Sequence, residues 1–146
     1  MFRFEFQSIL DQRVAMEEKR QMELAEALNT LQREREKLVY IKKEKDNMIK
    51  EYYRLSGKAV PGIVPNLISE AIRAKREEER GQEEVCRNCE KEVNKRRQAL
   101  IEASRQKKVM EKLKEKKLAE YLEMMRQKET KELDEAAILR YGSEDT

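Results

Sequence analysis

Both prolines of this chain, Pro61 and Pro65, and two of its four glycines, Gly57 and Gly62, fall inside one short stretch, residues 56–66, SGKAVPGIVPN. On either side run tracts rich in Glu, Lys, Arg, Gln, Leu and Ala, residues that favour helix. No glycine or proline precedes Gly57, and beyond the stretch only Gly81 and Gly142 remain. A chain with its breakers gathered in this way has one place to turn and two long segments that little interrupts.

The periodicity of those segments is helical. Leu10, Val14, Glu17, Gln21, Leu24, Leu28, Leu31, Arg35 and Leu38 follow a four-three spacing, a heptad seam with polar interruptions. After Leu38 the pattern changes phase and continues through Ile41, Lys45, Met48, Tyr52 and Leu55, a skip that alters supercoiling without ending a helix. In the second segment Val93, Leu100, Ala103, Met110, Tyr121 and Met124 share a seam with Arg96, Lys107, Lys114 and Lys117, and Leu113, Leu118, Leu122 and Met125 widen it. The expected organisation is a single coiled-coil domain over 1–146, with helix 1 at about 8–55, a tip at 56–66 and helix 2 at about 67–139. Gly81 is a weak point that divides off a short extra helix after the tip if helix 2 breaks there. Gly142 suits a helix stop, and the tail 142–146 is expected to fray.

A lone amphipathic helix has nothing to bury its stripe against, so the two stretches need partners. Folding back at the breakers supplies them, and the fold class is all-α: an antiparallel two-helix coiled-coil hairpin with a Pro/Gly tip. Composition agrees. Charged residues make up 43% of the chain, and 33 basic residues are interspersed with 30 acidic ones, as on a solvated, salt-bridged helix. Aromatic residues are only 5%, too few for a thick globular core. The opening MFRFEFQSIL is too short and too charged for a secretory signal, and no apolar run approaches a membrane span, so a cytosolic protein is expected.

Chemistry finds little support. Cys86 and Cys89 form a CxxC, but with no histidine and no further cysteine a zinc site lacks its remaining ligands. A redox CxxC needs a helix N-terminus, and this one falls inside a helix, where two small residues one turn apart are ordinary seam fillers. No histidine base and no glycine-rich phosphate loop is present, which points to a non-enzyme with no cofactor. The basic segment 105–117, RQKKVMEKLKEKK, has no aromatic residue for stacking, and its charges point around the whole helix. It reads as a solvated coiled-coil surface or, failing that, as a contact for an acidic protein surface. Val60, Ile63, Val64, Leu67, Ile68 and Ile72 make the tip the most apolar stretch, either a plug for the end of the seam or an exposed patch for a partner.

Three stretches together resemble the flagellar export protein FliJ family: FRFEFQSILDQR at 2–13, RRQALIEASRQKKVMEKLKEKKLAEY at 96–121 and KETKELDEAAI at 128–138. The likeness spans nearly the whole chain, and the Pro/Gly tip and the CxxC depart from the family pattern. The resemblance implies a non-catalytic component of the flagellar type III export apparatus, peripheral at the cytoplasmic face of the inner membrane and monomeric when free. It implies contact with the hexameric export ATPase FliI and its regulator FliH, with the export gate protein FlhA, and with export chaperones. The residues expected at the gate are Ile41, Met48, Tyr52, Leu67, Ile68, Ala71 and Ile72. Those expected at the ATPase ring are Phe2, Phe4 and Phe6 with Leu133, Ile138 and Leu139. Rival readings are a stalk protein of a virulence-type secretion system, a structural homodimer of long helices, and a nucleic-acid binder.

Overall fold

The structure is a computed structural model that describes residues 1–57 and 61–144. Val60 of the apolar tip stretch and residues 145–146 of the tail lie outside the described residues, as do the side chains of Ser143 and Glu144. Two helices account for nearly all of it: α1, Gln7–Ser56, and α2, Ile63–Glu144. They pack against one another as a two-helix hairpin, and no strand occurs among the described residues.

Helix α1 keeps the expected bounds to within about a residue. Helix α2 is longer than expected at both ends. It begins at Ile63, ahead of Pro65, because the first four N–H groups of a helix have no intrahelical acceptor and a proline there forfeits nothing. The Val64 amide donates to the Pro61 carbonyl at 3.0 Å at this start. Helix α2 also runs through Gly81 without a break and passes Gly142, so no separate short helix follows the tip. The reason is the seam itself. Ile72, Lys75, Glu79, Gln82, Cys86, Cys89 and Val93 are all at least half buried and follow one another by threes and fours straight through Gly81.

A Cβ added at Gly81 meets nothing within 4 Å. Gly81→Ala is therefore expected to stabilise the fold by about 1 kcal/mol. A thermal melt should shift upward by roughly 3 °C, and a lower midpoint would contradict the account of this position.

The chain divides into two compact units, Met1–Glu18 with Glu102–Thr146, and Lys19–Ile101. In the first, Phe4, Leu10, Ala103 and Met110 are buried, and Phe2, Phe6, Val14 and Leu113 pack against Phe4, Leu10 and Met110. In the second, the buried apolar side chains are Leu31, Ile41, Ile72, Cys86 and Val93. Polar side chains cross between the helices and fix their antiparallel register. In the first unit Lys107 pairs with Glu17 at 2.8 Å, Lys114 Nζ donates to Gln7 Oε1 at 2.8 Å, and Arg13 Nη1 donates to the Gln106 carbonyl at 2.9 Å. In the second, Lys45 pairs with Glu79 at 2.6 Å, Lys75 with Glu44, and Arg96 with Glu23 at 3.2 Å. Gln82 Nε2 donates to both Oε2 and the carbonyl of Glu34. The hydrogen bond from Lys107 holds the Glu17 carboxyl below its ordinary pKa, and Lys75 does the same for Glu44. Partly exposed pairs like these add little stability each. Their value is in matching Glu17, Glu23, Glu44 and Lys45 with opposite charges, and Arg13, Glu34 and Lys114 with hydrogen-bonding partners, at one register.

The seam corrects two expectations. Leu10, Glu17, Leu24, Leu31, Leu38, Lys45 and Tyr52 hold one phase along α1, but the alternate positions shift soon after Val14, not after Leu38. Ala27 and Glu34 turn inward, and Leu28 and Arg35 are exposed. An inward Glu34 gains the Gln82 amide, whereas Arg35 reaches out to a surface pair with Glu90 at 3.1 Å. On α2 only Leu113 widens the core. Leu118, Leu122 and Met125 are exposed because α1 offers them no opposing surface.

Candidate interaction surfaces

The first six residues are not helical, and they are tied down by their aromatic side chains. The Gln7 amide donates to the Phe4 carbonyl at 3.2 Å and the Leu10 amide to the Phe6 carbonyl at 3.0 Å, which starts α1. Phe4 is 6% exposed and meets Phe6 edge-on, with ring centroids 5.8 Å apart. Phe2 lies 5.5 Å from the ring of Tyr121. Of the three phenylalanines expected at the ring, Phe4 is thus committed to the core, and Phe2 and Phe6 keep only half-buried edges for any other contact.

Tyr121 is the last half-buried residue among the described side chains of α2. From Leu122 to Gly142 every described side chain is exposed, including Leu133 at 66%, Ile138 at 69% and Leu139 at 75%. At 100° per residue, Leu122, Met125, Leu133 and Ala136 fall in one narrow arc, and Met124, Ile138 and Leu139 lie on other sides of the helix. Apolar side chains therefore surround this segment, a distribution that one neighbouring helix cannot cover.

In the second unit, Ile41 and Ile72 are buried seam residues, and Met48, Tyr52 and Ile68 are half buried. Leu67 and Ala71 are exposed. Ile63 of the apolar tip stretch is 65% exposed, and Tyr53, which the sequence reading did not single out, is 71% exposed. Ile63, Leu67 and Ala71 are spaced by four on α2 and form one outward file. The spacing was present in the sequence, but a helix start placed after Pro65 hid it. Val39 and Tyr40 are also exposed, and a hydrogen bond to Glu44 pushes the Tyr40 hydroxyl above its usual pKa.

The two cysteines are free, Cys86 buried and Cys89 half buried, at consecutive seam positions. Burial pushes the Cys86 thiol up, away from the thiolate form that reacts. Among the described residues no group of His, Cys, Asp or Glu could hold a metal ion. No helix among them is long and apolar enough to cross a membrane.

Two helices zipped along a thin, charge-laced seam, with their remaining apolar side chains facing outward, make this a two-helix coiled-coil protein. The chain belongs to the FliJ family: the family model described as Flagellar FliJ protein matches residues 2–145. Membership makes it a component of the flagellar export apparatus. Comparison with curated proteins and with solved structures gave no match.

Proposed function

We propose that the protein is a non-enzymatic stalk and escort at the cytoplasmic face of the export apparatus. In this reading it contacts the hexameric ATPase FliI, with its regulator FliH, at one end and the gate protein FlhA near the tip. It helps couple ATP hydrolysis to export and receives emptied export chaperones. The observation that carries the reading is the bare segment of α2, residues 122–142, whose apolar side chains face several directions and are exposed. An isolated helix of this length is marginal in water, so it gains most from a site that encloses it. A ring of subunits offers such a site, and a flat surface does not. Support for the gate contact is the file Ile63, Leu67 and Ala71, exposed beside the tip.

The test is a photo-cross-linking residue placed at Leu139 or at Leu67 in cells assembling flagella. Adducts of Leu139 with FliI and of Leu67 with FlhA are expected. Interchanged adducts would overturn the orientation, and adducts only with a second copy of the chain would favour the homodimer.

A further inference from the structure

The basic segment 105–117 divides in the structure in a way its sequence does not announce. Lys107 and Lys114 turn toward α1, where Glu17 and Gln7 receive them. With those two removed, Arg105, Lys108, Lys112, Lys116 and Lys117 remain exposed, and the first four, spaced by three, four and four, gather on one face of α2, where Arg105 pairs with Glu102 at 3.0 Å. Val109 sits among them, 57% exposed.

Several exposed basic residues elsewhere pair with a glutamate one turn before them on their own helix: Lys37 with Glu34, Arg80 with Glu77, and Arg87 with Glu84. Lys108, Lys112 and Lys116 instead stand at i, i+4 and i+8, each facing a like charge, and none forms an ion pair among the described residues. The acids within reach, Glu111, Glu115 and Glu120, follow their lysines in sequence, the weaker order for helix pairs, and Glu111 is drawn to Lys107. A ladder of like charges costs the free helix, and an external counter-charge relieves that repulsion.

We infer that Arg105, Lys108, Val109, Lys112 and Lys116 form a docking face for an acidic helical segment of a partner polypeptide, one that carries carboxylates one turn apart around an apolar residue. The face spans about 100° of the helix surface and is flanked by Glu102, Glu115 and Glu120. A bilayer surface or a nucleic-acid duplex would press phosphates against those flanking carboxylates, whereas a helix fits between them. No aromatic residue lies between 97 and 120 to stack on a base. This inference stands apart from the proposed ring and gate contacts and survives if either fails.

The test uses the full chain and a labelled synthetic helix with glutamates at i, i+4 and i+8 around one leucine, followed by fluorescence anisotropy at about 50 mM and about 300 mM salt. The triple variant K108E/K112E/K116E should weaken binding at least tenfold, and K108Q/K112Q/K116Q should do so in the same direction if the reversal disturbs folding. The equally charge-changing variant K42E/K43E/K50E should leave it within twofold. Val109→Ser should weaken binding at both salt concentrations, an effect that charge alone does not give. Three outcomes overturn the inference: no binding at low salt, equal weakening by the two reversed variants, or tighter binding of phosphatidylglycerol vesicles or a DNA duplex that the stripe variant abolishes.

Discussion

Phe4→Ala should cost the protein about 3–5 kcal/mol, the usual penalty for emptying a buried aromatic site. The effect is large here because the local core is small. In the unit formed by residues 1–18 and 102–146, Phe4, Leu10 and Met110 make the buried cluster, and Phe2 and Phe6 are held through it. The first six residues have no helix of their own to hold them, so removing the Phe4 ring also frees the turn whose carbonyls receive the amides of Gln7 and Leu10. Hydrogen exchange should report the loss as faster exchange across residues 7–18 and 102–121. Equal protection in the variant and the parent protein would show that the aromatic segment is ornament on a seam that is stable without it.

Removal of residues 122–146 should do the opposite: leave the melting midpoint nearly unchanged and abolish the ability to stimulate the ATPase. Between Leu122 and Gly142 no described side chain is buried, and Arg126 pairs with Glu123 inside the segment. No seam layer is lost, so circular dichroism should fall only in proportion to the helix removed. If the bare segment is the ring contact, as proposed, function goes with it. A large drop in stability on truncation would mean that the segment supports the hairpin in a way its exposure does not suggest.

The fold was legible because its signals were long and consistent. Breakers concentrated at 56–66 mark the turn, and on α2 Val93, Arg96, Leu100, Ala103, Lys107, Met110, Lys114 and Tyr121 face inward as the spacing expects, whereas Lys117 and Met124, expected in the same seam, are exposed. Where the reading slipped, a short-range cue was weighed against a long-range one. Local propensity puts the start of α2 after Pro65 and makes Gly81 a weak point, but a proline in the first turn costs nothing and the seam carries the helix through the glycine. Leu28 was placed in the seam because leucine is apolar, and the structure prefers the smaller Ala27 beside an inward Glu34.

The surfaces were harder to read, since heptad spacing cannot say which apolar residues lack a partner. Leu133, Ile138 and Leu139 were singled out and are exposed, whereas Phe4, Ile41 and Ile72 were singled out and are core. Only the length of α1 opposite α2 separates the two cases. The division of the basic segment into seam and surface depends on the same information, because Lys107 and Lys108 are adjacent in sequence and differ only in which way the helix turns them.

The most direct measurement is ATP hydrolysis by FliI with three forms of this protein at stoichiometric amounts: intact, lacking residues 122–146, and carrying Ile63→Ser with Leu67→Ser. The stalk reading expects the intact and serine-substituted forms to stimulate hydrolysis alike, with the truncated form leaving it at the level of the ATPase alone. Stimulation by the truncated form equal to that of the intact protein would contradict the claim that the bare end of α2 engages the ring.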